Sequence, residues 1–311
     1  MDMMIREHYF PSSNGKDTVY SKIYEPATTK PLGIVQISHG MAEHIGRYDD
    51  FMRYLCGRGF VVCGNDHIGH GNTAEKKEDL GYLAAKNGFD ALVTDLHLFT
   101  IYMRGRYGDI PYILLGHSMG SFAARLYAAK YGNELSALIL SGTGAGKSIL
   151  PLAAAIKKLL PAGGHKPAPL LDKLAFGNFN HGVMNPKTPF DWLSRDQERV
   201  ADYITDPLCG FLFTASGFGD LFSGIYRANK QEWIDRIPKE LPVFLISGDM
   251  DPVGDYGKGV AQVCRTMQQS GMRHVTMRLY AGARHELLNE INRQEVYDDV
   301  LNFCCGIAAR E

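Results

Sequence analysis

The sequence predicts an α/β fold, a mostly parallel β-sheet flanked by helices and interrupted by one helical insertion. Three observations carry this. Short, continuous apolar runs of strand length recur along the chain. From residue 33 onward they alternate with helix-like stretches. The alternation lapses between about 142 and 237 and then resumes.

In chain order, TVYSKIYE (18–25), GIVQIS (33–38), FVVCGN (60–65), YILLG (112–116), ALILS (137–141), VFLIS (243–247) and VTMRLY (275–280) read as strands. Several are apolar without alternation, as expected of strands covered by helices on both faces. Helical periodicity falls at about 47–58, 88–106, 118–131, 255–270 and 293–307. The stretch 142–237 mixes a Gly/Pro-rich piece, PAGGHKPAP, with many aromatics, among them Phe176, Phe179, Phe190, Trp192, Phe211, Phe213, Phe218 and Phe222. It is too long for a loop in a compact domain, so it reads as an inserted helical cap. The expected organisation is a core of 1–141 and 238–311 with the cap at 142–237.

Composition narrows the function classes. The chain has 311 residues, of which 45% are hydrophobic and 22% charged, and its formal net charge is −1. Nothing there provides a basic field for nucleic acid. MDMMIREHYF carries Asp2, Arg6 and Glu7 where a signal peptide would need a basic start and an apolar core, and no run is long enough to span a membrane. The six cysteines (56, 63, 209, 264, 304 and 305) have no CxxC spacing, so free thiols and a cytoplasmic location are expected. Cys304-Cys305 reads as two helix thiols rather than a redox pair.

The chemistry begins at YILLGHSMG (112–120), where Ser118 lies between two glycines at the end of a strand and the start of SFAARLYAAKYG, a helix without internal Gly or Pro. G-x-S-x-G alone is a weak signal, and this strand–turn–helix context gives it mechanical sense. A serine hydroxyl needs a general base oriented by a carboxylate. The loop after VFLIS is GDMDPVG and the loop after VTMRLY is AGARHELLNE, so Asp251 and His285 are the candidate carboxylate and base, with Asp249 a rival to Asp251. An oxyanion needs two backbone N–H donors. Met119 follows the serine, and Met41 lies in the loop after an early strand, behind His39-Gly40.

HGMAEHIGRY (39–48), NDHIGHGNT (65–73), GHSMGS (116–121), SGDMDPVG (247–254) and GARHELLNE (282–290), in this order, resemble the monoacylglycerol lipase/lysophospholipase branch of the α/β-hydrolases. The resemblance implies an α/β-hydrolase fold, Ser118 as nucleophile, Asp251 as acid, His285 as base, and the Met41 and Met119 amides as oxyanion hole. Asp251 rather than Asp249 is the residue before Pro-Val, as in the family pattern. Ser121 departs from it, standing where a second glycine commonly follows the elbow. The expected activity is a cofactor-free serine hydrolase cleaving carboxylic esters of monoacylglycerol or lysophospholipid type. Its acid limb should follow His285, at about pH 6 to 7. A short-chain or aryl carboxylesterase is the alternative. A proline-type aminopeptidase and a triad-retaining binding or sensor protein stand further off.

Other features have rival readings. His39 and His117 are expected to shape turns, and are carried with Gly40, Glu43 and Arg47 as candidate substrate-binding residues. Glu43 and Arg47 read either as a solvated pair at a helix start or as groups facing the alcohol of a substrate. Asp66, His67 and His70 lack metal-site spacing, and no metal is expected. ILPLAAAIKKLLP (149–161) reads as a buried cap helix that could instead contact a membrane surface. SGTGAGKS (141–148) misses a P-loop by its first residue, and Pro151 breaks the helix that should follow.

Overall fold

The computed structural model describes residues 3–28, 30–146 and 164–310. Their strands form one sheet of eight: β1 (Met3–Pro11), β2 (Thr18–Pro26), β3 (Ile34–Ser38), β4 (Val61–Asn65), β5 (Tyr112–His117), β6 (Ala137–Ser141), β7 (Val243–Gly248) and β8 (Val275–Tyr280). The spatial order is β1-β2-β4-β3-β5-β6-β7-β8. The β1–β2 and β2–β4 pairs are antiparallel and every other pair is parallel.

β3 to β7 are buried along their whole lengths, which explains their unbroken apolar sequences. Seven of the eight strands coincide with the runs marked by hydrophobicity. The eighth, β1, is an edge strand exposed over most of its length, so it carries no burial pattern to read. Phe10 at its end stacks on Phe99, with ring centroids 5.6 Å apart, and ties the edge to the core.

The helices are α1 (Asp49–Cys56), α2 (Gly88–Tyr107), α3 (Met119–Tyr131), α4 (Pro169–Phe176), α5 (Gln197–Thr205), α6 (Ala215–Ala228), α7 (Gln231–Ile234), α8 (Lys258–Gln269) and α9 (Arg293–Ala308). One apolar cluster joins α2, α3, α6 and α8 to one face of the sheet, and a second joins α1 and α9 to the other. These two layers hold the strands rigid and leave their carboxyl ends free to carry loops.

Between β6 and β7 the chain leaves the sheet, and its two parts behave differently. α6 packs on α2 and α3, with Phe218, Leu221, Phe222 and Ile225 inside the first cluster. Residues 164–213 lie over the carboxyl ends of the strands instead, anchored by Pro167–Thr214 bridging and by contacts described below. The stretch 149–161, and Lys147-Ser148 of the P-loop-like run, lie outside the described residues. No helix among the described residues is long and apolar enough to cross a membrane.

Candidate active site

β5 ends at His117 and α3 begins at Met119, so the chain reverses at Ser118 with φ 51° and ψ −119°. A non-glycine residue in that region is strained, and the packing around it must enforce the conformation. Gly120 shows how: a Cβ there would lie 2.1 Å from the Ser38 carbonyl oxygen, so only glycine lets α3 start against β3. Ser121, the departure from the family pattern, donates its hydroxyl to the Ser118 carbonyl at 2.6 Å and closes the same turn.

The two C-terminal loops meet beside this elbow. His285 Nδ1 lies 2.9 Å from each carboxylate oxygen of Asp251, and both side chains are buried. Asp251 accepts only, so the Nδ1 proton is donated to it and Nε2 is left as the free base position. The Val253 N–H also donates to Asp251, at 2.9 Å. Asp249 is spent elsewhere, accepting the Gly282 N–H at 2.7 Å. Burial by itself would lower the His285 pKa, but the Asp251 charge and hydrogen bond outweigh it and the net shift is upward.

The loop after β3 closes the other side. An added Cβ on Gly40 would lie 3.3 Å from the Ser118 Cβ, which places this loop against the serine. Met41 and Met119 line the same cavity as Ser118, and among the described residues neither N–H donates to a protein acceptor. Two free donors beside one hydroxyl can receive a developing oxyanion.

Glu43 is no solvated partner of Arg47. Its carboxylate accepts the Gly40 N–H at 2.5 Å, the Tyr48 hydroxyl at 2.7 Å and Arg47 at 2.8 Å. Arg47 also forks onto both oxygens of Glu286, at 2.5 and 2.7 Å, and lies over the Tyr203 ring. Burial would raise the Glu43 pKa, yet the Arg47 charge and these donors hold it below the usual carboxylate range. Arg47 itself sits behind Glu43, lining a separate groove.

The two candidate histidines part company. His117 lines the site, with burial lowering its pKa to about 4. His39 lines neither cavity at Ser118. It accepts the His67 N–H and donates to the Gly40 carbonyl, and burial lowers its pKa to about 3, so it is a neutral brace beneath the loop. Asp66 accepts the Ile45 and Asn72 N–H groups, while His67 and His70 hydrogen-bond Ser38 and Ile68. In the P-loop-like run, a Cβ at Gly142 would lie 2.9 Å from the His285 ring and one at Gly144 would lie 2.2 Å from the Val253 carbonyl oxygen. Those glycines make room for the Asp251 and His285 loops rather than for phosphate.

Several contributors have no local sequence signature: Glu286, Tyr48, Tyr203, His44 and Asp172. Their roles arise from segments far apart in the chain. His44 meets Asp206 at 2.8 Å, and the Gly210 N–H donates to the Ala42 carbonyl at 2.9 Å. The segment 164–213 is thereby tied to the loop after β3. Cys209 lies near this pair, but His44 Nδ1 accepts the Gly46 N–H. The Nε2 proton therefore points at Asp206, the arrangement of a hydrogen-bonded latch rather than a metal ligand.

Two cavities meet at Ser118. One, about 230 Å³, is walled by Met41, Met119, Phe122, Phe176, Leu221 and Ile225. The other, about 270 Å³, is lined by His285, Glu43, Glu286, Asp172, Asn180 and Trp192, among others.

An eight-stranded, mostly parallel sheet with a strained serine elbow at the end of β5 defines an α/β-hydrolase. The family model described as "Serine aminopeptidase, S33" matches residues 29–292, and the chain belongs to that family. It is 28% identical to a monoacylglycerol lipase of Mycolicibacterium smegmatis, with 96% of each chain covered. It is 30% identical to a monoglyceride lipase homolog of monkeypox virus, with 88% of each covered. Among solved structures, a thermostable carboxyl esterase from Bacillus coagulans, in complex with glycerol, superposes with a TM-score of 0.92 at 37% identity, covering 99% of this chain and 100% of that one. These relatives make it a carboxylic ester hydrolase of the monoacylglycerol lipase-like branch.

Proposed function

We propose that this chain hydrolyses monoacylglycerols through an acyl-enzyme on Ser118. The observation that carries the reading is the seam at Ser118 between an apolar cavity and a more polar one, whose lining sets carboxylates and His285 among aromatic rings. His285, in the role of base, takes the Ser118 proton as the hydroxyl attacks the ester carbonyl. The oxyanion forms against the Met41 and Met119 N–H groups, and Asp251 stabilises the imidazolium. The leaving alcohol must face His285 to be protonated, so the polar cavity takes the glycerol and the apolar one takes the acyl chain. Water then enters on the same side, His285 removes its proton, and the ester on Ser118 is cleaved.

The apolar cavity, walled by Met41, Phe122, Leu221 and Ile225 beside Ser118, has the lining an acyl chain needs. Within the insertion expected at 142–237, we take 164–213 as a lid, because it latches over the site through His44–Asp206 and Gly210–Ala42, whereas α6 belongs to the core. Leu170 and Leu174 on α4 are 69% and 59% exposed, and Met184 is 89% exposed, with Lys173 and Lys187 nearby in sequence. An apolar face beside lysines suits contact with a lipid surface. Six free cysteines, five of them buried, fit a reducing, cytoplasmic setting.

The test is fluorophosphonate labelling followed by a hydrolysis series of p-nitrophenyl esters and monoacylglycerols of rising chain length. Wild type should label and Ser118→Ala should not, with kcat/KM passing through an optimum chain length set by the apolar cavity. A folded wild-type protein that neither labels nor hydrolyses any member would refute the reading.

A further inference from the structure

The polar cavity has three carboxylates in its described lining, Glu43, Glu286 and Asp172, and no lysine or arginine. Two of them are committed to Arg47, which offsets only part of their charge. Asp172 differs. It projects from α4, is half-buried, and makes no side-chain hydrogen bond or ion pair among the described residues. Burial raises its pKa, and no charge among the described residues opposes that shift.

The wall between Asp172 and His285 is aromatic. Phe176 lies one turn along α4 from Asp172. Phe176 and Trp192 line this cavity, and Phe179, on the apolar-cavity side, joins their rings: centroids run from Phe176 to Phe179 at 5.2 Å, to Trp192 at 4.8 Å and to His285 at 5.1 Å. Phe190 and Tyr203, 5.1 Å apart, line the same cavity. A carboxylate with no counter-charge among the described residues, set beside aromatic rings, is the chemistry that receives an alkylated ammonium. A phosphate there would meet Asp172 and the residual negative charge of Glu43 and Glu286.

Resting on the ester-hydrolase reading, we propose that the polar cavity discriminates alcohols by charge. Glycerol is accommodated, an alcohol carrying a cationic nitrogen is preferred, and a phosphate-bearing alcohol is disfavoured, with Asp172 as the specificity-determining residue. The ammonium belongs to the alcohol because this cavity, and not the apolar one, contains His285 in its lining.

The experiment compares two isosteric esters, choline octanoate and the uncharged 3,3-dimethylbutyl octanoate, in wild type, Asp172→Asn and Asp172→Glu. The readout is the ratio of their kcat/KM values, which a general folding defect does not move. Wild type should favour the choline ester roughly five- to tenfold, the size of one half-exposed charge pair with a cation–π contact. The ratio should approach one in Asp172→Asn, stay above one in Asp172→Glu, and shrink as salt is raised. Hydrolysis of the neutral ester with no preference in wild type, or a preference untouched by Asp172→Asn, overturns the proposal alone. Failure to hydrolyse either ester overturns the hydrolase reading and the proposal with it. An aminoacyl anilide cleaved in preference to the choline ester would move the ammonium to the acyl side and also overturn it.

Discussion

Replacing Asp251 with Asn removes one charge and almost no volume from the centre of the site. In wild type, both Asp251 oxygens sit 2.9 Å from His285 Nδ1, with the pair fully enclosed. Asn can still accept the Val253 N–H, so the loop should keep its shape. The carboxylate's other work is lost. An amide NH2 facing Nδ1 favours the tautomer with its proton on Nε2, which cannot accept from Ser118. In the serine hydrolases for which this change defines the scale, kcat falls about 10⁴-fold, or about 5 kcal/mol on the barrier. The pH profile provides a second readout. His285 must be neutral to act as base, and its pKa is raised above the ordinary 6.5, so wild-type activity should fall as pH drops through a value above 6.5. Without Asp251 the main upward contribution vanishes and burial is left to lower the pKa, so the acid limb of the residual activity should move down. The assay is kcat for p-nitrophenyl octanoate across pH, with thermal denaturation as the folding control. A folded Asp251→Asn protein that loses less than tenfold in kcat, or whose acid limb stays in place, would refute the assignment.

Four further outcomes follow from individual contacts. Glu43→Ala leaves the buried Gly40 N–H and the Tyr48 hydroxyl without their acceptor and Arg47 with Glu286 alone, so kcat in the ester assay should fall by about 10²-fold while KM moves little. Ser121→Ala removes one hydrogen bond at the elbow and should cost about 1 kcal/mol in denaturant titration. Leu221→Phe narrows the apolar cavity, so the chain-length optimum should shorten in the p-nitrophenyl ester series. Gly120→Ala forces a Cβ to 2.1 Å from the Ser38 carbonyl oxygen, and should yield insoluble protein or a stability loss above about 3 kcal/mol on unfolding.

The parts of the fold legible in the sequence are those whose causes are local. Buried strands show as apolar runs, and the Ser118, Asp251 and His285 loops each follow one of those runs directly. β1 was silent because an exposed edge strand needs no hydrophobic alternation. α6 was obscured for a different reason: ASGFGDLFSGIYRA contains three glycines, which usually count against a helix. Two of them are there for close approach. A Cβ at Gly217 would lie 2.0 Å from the Gly81 carbonyl oxygen, and one at Gly224 would lie 2.5 Å from the Phe89 ring. The gain is tertiary packing against α2 and α3, which no window of local sequence records.

The same limit explains why Glu43 and Arg47 could be read two ways. Their meaning depends on Glu286, which reaches Arg47 only in the folded chain, 239 positions away. Once folded, the guanidinium touches three separate segments. Through Glu43 it holds the loop carrying the Met41 N–H, through Glu286 the loop carrying His285, and by its face the Tyr203 ring on α5. A buried ion cluster of this kind brings little net stability, since desolvation offsets much of the attraction. What it supplies is register. The Met41 N–H and His285, the proposed oxyanion donor and base, sit on loops from opposite ends of the chain, and catalysis suffers when such groups slip by an ångström. Arg47 fixes that placement from behind, outside the lining of both cavities at Ser118, which keeps the second cavity open for the alcohol we propose it selects.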